Sequence, residues 1–176
     1  NQASFAGYKL HFIDNTADIK VSKEYKRYLE NNIGVVTCNK IACADSFENY
    51  KTLKNVSRKF NSPFLFETNV GAGLPVIDTL SNLIASGDQI IKIEAILSGS
   101  LNYIFNNFKN YDSFHEIVEE AIKKGLTEPD PRIDLSGIDV ARKILILARE
   151  SGIDIELDEV KINSFLPKEV SEISDT

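Results

Sequence analysis

The stretch that decides the fold is Gly34–Phe66, GVVTCNKIACADSFENYKTLKNVSRKFNSPFLF. It opens on the β-branched run Gly34–Thr37 and closes on the apolar run Pro63–Phe66, both short enough for buried strands. Between them Phe47, Tyr50, Leu53, Val56 and Phe60 recur at three-to-four spacing, which predicts a helix over Asp45–Phe60. Short apolar strands joined through such a helix form a crossover, and a crossover implies parallel strands. On the N-terminal side, Tyr8–Ile13 alternates and stops at Asp14-Asn15-Thr16, a strand ending in a polar loop. Val21–Asn31 reads as a helix with Tyr25, Tyr28 and Leu29 on one side. The expected class is α/β with parallel strands.

On the C-terminal side the character changes near Pro63–Glu67, and a domain boundary is placed there, giving 1–66 and 67–176. Glu67–Pro75 is a glycine loop opening a helix over Leu74–Ser86, and Gln89–Leu97 (QIIKIEAIL) is the longest strand candidate. Ser98-Gly99-Ser100 is a turn into a helix carrying Leu101, Ile104, Phe105 and Phe108. Ser113 begins a further helix, with Phe114, Ile117, Val118 and Ile122 inward and Gly125 as its stop. The charged segment Thr127–Lys143 then leads into a helix ending near Gly152. Val160–Phe165 is a candidate last strand, and Pro167–Thr176 a frayed acidic tail.

A chain of 176 residues with 43% apolar and 26% charged residues is an ordinary globular composition. The net charge of -6, without a basic cluster, disfavours nucleic acid as a partner. No apolar run approaches the roughly 18–20 residues of a membrane span, and Asn1 does not begin a signal peptide. Cys38 and Cys43 suit neither a zinc knuckle nor a disulfide framework, so reduced thiols and a cytoplasmic setting are expected. The absence of Met, including an initiator, reads as a piece of a longer polypeptide.

The densest chemistry lies in Thr127–Lys143, TEPDPRIDLSGIDVARK. Ionised groups beside a buried helix must be paired, solvated or used. Asp139 and Lys143 are spaced to share a helix face. Lys143 borders the apolar arc of Val140, Ala141, Ile144, Leu145, Leu147 and Ala148. Partial desolvation at such an edge favours the neutral amine that can accept a proton. A surface ion pair, or a capping box formed by Ser136 and Asp139, explains the same spacing. Pro129 and Pro131 stiffen the segment that carries Glu128 and Asp130, which suits either a ligand-binding carboxylate or a rigid connector. Val70-Gly71-Ala72-Gly73 sits between strand and helix, where it could receive a phosphate, offer carbonyls to a cation with Glu67, or pack closely. Val76 stands where the third glycine of a dinucleotide fingerprint belongs. Lys40 and Asn15-Thr16 lie just past strands, where α/β sheets bind ligands. His11 and His115 have no visible partner and read as structural.

Five motifs carry a resemblance that covers nearly the whole chain. They are Asp14-Asn15-Thr16-Ala17, Asn39-Lys40, ETNVGAGLPVIDTL from Glu67, ILSGSLNYIFN from Ile96 and TEPDPRIDLSGIDVARK from Thr127. In order and spacing they resemble homoserine dehydrogenase, above all the dehydrogenase part of the bifunctional aspartokinase/homoserine dehydrogenases. The resemblance implies reversible NADP- or NAD-dependent oxidation of L-homoserine to L-aspartate 4-semialdehyde, in threonine, methionine and isoleucine biosynthesis. It implies that Lys143 is the general acid/base and Lys40 a second catalytic lysine near the nicotinamide. Glu128 and Asp139 become substrate-binding carboxylates, with Asp134 supporting them and Ser100 a plausible substrate contact. Asn15 and Thr16, with Lys40, become cofactor contacts. Glu67 and the backbone of Val70, Ala72 and Leu74 become a monovalent cation site, usually sodium. The implied architecture is the C-terminal part of a Rossmann-like nucleotide domain over 1–66. An α+β substrate and dimerisation domain with a mixed sheet follows over 67–176, and a homodimer is implied. Ile133, Ser100 and Leu126 depart from Asp, Thr and Tyr in the family pattern, which bears on substrate positioning rather than reaction class. The glycine-rich first strand–loop–helix and the returning C-terminal segment of the family are not in this sequence, so the chain alone is expected to be inactive and to bind NADP poorly. A non-catalytic dimerisation module, built on Gln89–Leu97 and Leu74–Ser86, is the competing expectation.

Overall fold

The computed structural model describes residues 9–128 and 130–166. Strands β1 (Leu10–Asp14), β2 (Ile33–Thr37) and β3 (Phe64–Leu65) form a parallel sheet in the order β1-β2-β3. Helices α1 (Ile19–Ser22) and α2 (Tyr25–Glu30) connect β1 to β2, and α3 (Ile41–Ala44) and α4 (Phe47–Lys59) connect β2 to β3. The chain continues through α5 (Val76–Ala85), α6 (Gly99–Asn107), α7 (Phe114–Lys123), α8 (Pro131–Ser136) and α9 (Ile138–Glu150). The strand–helix–strand reading of Gly34–Phe66 is thus what forms.

Register explains where the core sits. Phe12, Val35 and Phe64 stand side by side, as do Ile13, Val36 and Leu65. The first row faces Tyr25 and Leu29 of α2 and Tyr50 and Leu53 of α4, and its members are wholly or largely buried. The second row lies largely open, with Ile13 63% and Leu65 52% exposed. Ile146 and Leu147 of α9 enter the same core beside Ile77 and Leu80 of α5. A second cluster joins Ile104, Ile117, Ala121 and Leu135 from α6, α7 and α8.

Local chemistry sets the boundaries. The helix expected over Val21–Asn31 forms instead as α1 and α2, and at the end of α1 the Ser22 hydroxyl bonds back to the Ile19 carbonyl (2.9 Å). Asp130 caps α8, its carboxylate accepting from the Arg132 amide (2.9 Å), and Pro131 occupies the first helical position. Gly137, at φ 82°, is at once the end of α8 and the start of α9, a conformation that suits glycine.

Two expected strands do not form among the described residues. Gln89–Leu97 has no ladder partner, and Ile91 and Ile96 are 97% and 82% exposed. A strand needs a neighbour for its backbone N–H and C=O groups, and the sequence pattern alone does not supply one. Val160–Phe165 is likewise irregular, its Phe165 ring packing against Phe105 and Phe114. The expected mixed sheet therefore has no counterpart in the described residues. Tyr8, Pro129 and the tail Pro167–Thr176 lie outside them.

Candidate functional site

Parallel strands end at a common edge, and the first half of the site is built there. Asp14 closes β1 with a 1%-exposed carboxylate, which accepts from Tyr25 Oη, the Thr16 amide (2.7 Å) and Asn39 Nδ2 (3.1 Å). Tyr25 Oη also meets Thr37 Oγ1 (2.8 Å), and that oxygen accepts from the Asn39 amide (2.8 Å). Burial alone would raise the Asp14 pKa, but hydrogen bonds from Tyr25, Thr16 and Asn39 outweigh it and hold the carboxyl below its ordinary value. This network ties the end of β1 to the end of β2. It fixes Asn39 and hence Lys40, the residue that opens α3. Asn15 and Thr16 are exposed at the same edge.

The second half comes from α9. Asp139 lies in its first turn and has a side chain 8% exposed. Its Oδ2 lies 2.7 Å from Lys143 Nζ and its Oδ1 3.3 Å from Lys40 Nζ. The two lysine side chains are 17% and 24% exposed, so the cluster is neither a surface pair nor sealed. Burial pushes the Asp139 pKa upward, but the Lys143 hydrogen bond and the Lys40 charge prevail, and the carboxyl stays ionised below its usual range. Lys143 Nζ also donates to the Leu97 carbonyl (2.8 Å). An ammonium has three donors, and among the described residues these two contacts leave one N–H uncommitted. The capping-box alternative does not form. Ser136 Oγ instead donates to the Ile133 carbonyl (3.0 Å), and Gly137 stands at the helix start.

A third group adjoins Leu97. Ser98 caps α6, and its hydroxyl lies 2.9 Å from Ser100 Oγ. Ser100 Oγ donates to Asp134 Oδ1 (2.6 Å), and Asp134 Oδ2 accepts from the Glu128 amide (2.9 Å). The buried Asp134 carboxylate thereby orders the segment that carries Glu128, itself half-buried.

The glycine loop does something else. Both Glu67 oxygens accept amides from the start of α5, Ile77 and Asp78, each at 2.8 Å. A carboxylate thus already occupies the helix N-terminus where a phosphate would sit. Gly71 has φ 82°, and a Cβ there would meet Val76 Cγ2 at 2.7 Å, so close packing accounts for that glycine. Val70 is fully buried, Ala72 has φ 53°, and Leu74 is 65% exposed. The described residues hold no cluster of three His, Cys, Asp or Glu side chains.

The structure thus brings Lys40, Asp139 and Lys143 into direct contact, and groups Ser100, Asp134 and Glu128 in one network. Three buried charged residues were not singled out as site candidates from the sequence. Asp14, Arg149 and Glu150 each have a buried side chain. Only their long-range partners reveal them.

A family model described as homoserine dehydrogenase matches residues 75–175, more than half of the chain. The chain is 47% identical over 156 residues to the chloroplastic bifunctional aspartokinase/homoserine dehydrogenase 1 of Zea mays, covering 89% of this chain and 17% of that protein. It is 43% identical over 162 residues to the homoserine dehydrogenase of Schizosaccharomyces pombe, covering 89% of this chain and 43% of that one. Among solved structures, a hyperthermophilic archaeal homoserine dehydrogenase in complex with NADPH superposes with a TM-score of 0.73 at 30% identity, over 86% of this chain and 48% of that one. A Candida auris protein of unknown function gives 0.83 at 35% identity, over 93% and 48%. With the family model matched over most of the region that holds the Asp139–Lys143 pair, the chain belongs to the homoserine dehydrogenase family.

Proposed function

We propose that this chain supplies the proton-transfer and substrate wall of a homoserine dehydrogenase that interconverts L-homoserine and L-aspartate 4-semialdehyde with NADP or NAD. The observation that carries the reading is the Lys40–Asp139–Lys143 cluster at the carboxyl edge of a parallel sheet. Alcohol oxidation needs a base for the hydroxyl proton, and aldehyde reduction needs an acid for the reverse transfer. Lys143 Nζ, held by Asp139 and Leu97 with one N–H uncommitted among the described residues, would donate that proton to the aldehyde oxygen in reduction and, as the neutral amine, take the hydroxyl proton in oxidation. Lys40 adds a second positive charge where negative charge develops on the substrate oxygen. The nicotinamide, when bound, supplies the hydride chemistry. Asn15 and Thr16, exposed just past the end of β1, would contact it. Glu128 would bind the substrate ammonium, with Asp134 and Ser100 holding its segment in place. Glu67 and the carbonyls of Val70, Ala72 and Leu74 would hold a monovalent cation. Because Glu67 caps α5 and the Leu74 carbonyl accepts the Val76 amide, a cation there would share these oxygens rather than displace their hydrogen bonds.

The chain spans 17% to 43% of the curated relatives just described and about half of the solved structures. The open row Ile13, Val36 and Leu65 supports assigning 1–66 to part of a larger nucleotide domain, with 67–176 as the catalytic and dimerisation domain. On this reading the isolated chain does not reduce NADP with homoserine. The decisive test is Lys143→Ala in the product of the complete reading frame. Turnover should fall roughly 10²–10⁴-fold while folding is retained. Unchanged turnover would refute the assignment.

The exposed, unpaired segment 89–97 supports a second, compatible role in assembly. Its lack of a ladder partner among the described residues and the exposed Ile91 and Ile96 suit pairing with another copy of the chain. Sedimentation at rising concentration tests this, and a strict monomer would count against it.

A further inference from the structure

Arg149 is the least accessible cation of the site region, with a side chain 0% exposed. All five of its N–H donors find acceptors. Nη1 donates to the carbonyls of Cys43 (2.9 Å) and Asp45 (2.7 Å). Nε and Nη2 donate to the Ile155 carbonyl (3.1 and 3.0 Å), and Nη2 to Glu156 Oε2 (3.0 Å). The guanidinium plane lies over the rings of Phe47 and Tyr50, at 5.6 and 5.5 Å. The Cys43 and Asp45 carbonyls belong to the last turn and end of α3, where backbone acceptors lack helix partners. Glu156 in turn accepts from the amide of Phe47, the first residue of α4 (2.8 Å).

The consequence lies in how α3 is held. Lys40 stands at its start and meets Asp139 in the first turn of α9. Arg149, in the last turn of α9, grips the other end. Ten residues of helix at 1.5 Å rise separate Asp139 from Arg149, so the two attachments lie about 15 Å apart on one rigid rod. Only one of them is a partly exposed ion pair. The other is a buried fork whose planar geometry a lysine does not reproduce.

We propose that Arg149 is a positioning residue: by fixing the end of α3 to α9, it sets the separation of Lys40 from Asp139 and Lys143. The inference rests on the function proposed for those lysines, and its test separates the two. In the product of the complete reading frame, Arg149→Ala and Arg149→Lys are compared with the parent for kcat, KM and the pH profile of turnover. The expectation is a fall in kcat of about 10- to 100-fold with a smaller change in KM, as for a misplacement near 1 Å, and a displaced pH profile. Arg149→Lys should recover only part of the loss. Glu156→Gln, which keeps the guanidinium but removes the ion pair, should shift the profile in the same direction by less, and it carries the test if both Arg149 variants fail to fold. Independently of turnover, the pH dependence of Lys40 and Lys143 acetylation by acetic anhydride, read by mass spectrometry, should change in the folded variants. Unchanged acetylation profiles would overturn the proposal, whether turnover is lost or kept, because Arg149 would then act on stability alone. If Lys143→Ala kept full turnover, the functional reading would fail, while an altered Lys40 profile would still uphold the tether.

Discussion

The two ends of α9 carry nearly the same chemistry and use it differently. At the start, Asp139 meets Lys40 and Lys143. At the end, Glu150 meets Lys54 at 2.9 Å, with Tyr50 Oη and Ser81 Oγ (3.3 Å) completing its shell. Both carboxylates are buried, at 8% and 4% side-chain exposure. The difference is what surrounds them. Glu150 is ringed by hydroxyls and one lysine, and it joins α4, α5 and α9 across the main core. Asp139 holds two cations side by side, at the edge where the strands end. Hydroxyl donors close a carboxylate off. A pair of lysines leaves it with positive charge to offer a ligand. One end of the helix is a fastening and the other a workplace.

Matched substitutions break that comparison most sharply. Lys143→Ala and Lys54→Ala remove the same ammonium from each end. Steady-state kinetics should show a loss of roughly 10²–10⁴-fold for Lys143→Ala and the parent kcat for Lys54→Ala. Equal kinetics in the pair would erase the distinction. Next in size, Glu150→Ala should cost about 3 kcal/mol in chemical denaturation, because it strips a buried charge from its partners. Its turnover at temperatures well below melting should match the parent. Glu67→Ala removes the cap of α5 and should cost about 1 kcal/mol.

The smallest effects are in the pH dependence of stability. Asp14 and Asp139 titrate below the ordinary aspartate value in the folded chain. Their stabilising effect is complete above about pH 3.9 and is lost as pH falls toward their lowered values, where the unfolded chain binds protons first. Asp139→Asn should flatten this acid limb, and a limb of parental steepness would contradict the pairing. On the alkaline side burial raises the Tyr25 and Tyr50 phenols and the Cys43 thiol. Stability should decline once pH passes the ordinary thiol and phenol values, about 8.5 and 10, because the unfolded chain then loses protons that the native chain keeps.

Local pattern carried the sequence reading as far as local forces do. GVVT reads as a buried strand because its β-branched side chains suit one, and α4 is marked by its apolar spacing. The Asp139–Lys143 pair was legible because helix geometry places i and i+4 together. That Lys40 completes it was not legible from pattern, since the sheet and α3 bring it there from a distant part of the chain. Its role came from family resemblance. Gln89–Leu97 has the composition of a strand without the neighbour that would make it one. Arg149 shows the opposite failure. Nothing in its local pattern marks it, yet carbonyls from the end of α3 and from Ile155 enclose it.

The Gly137 elbow has a consequence for which changes this segment can absorb. One left-handed residue separates the helix of Asp134 from the helix of Asp139, with no loop between them to take up slack. Each inserted or deleted residue turns the following helix by about 100° and shifts it by about 1.5 Å. A deletion between Asp139 and Lys143 would carry the lysine off the carboxylate's face, and one between Asp134 and Asp139 would break the registration of the two helices. Away from Asp134, Gly137, Asp139 and Lys143, side chains here can vary in kind, but the count of residues cannot. In this stretch chain length itself is the specification, and a gap should be more damaging than most substitutions.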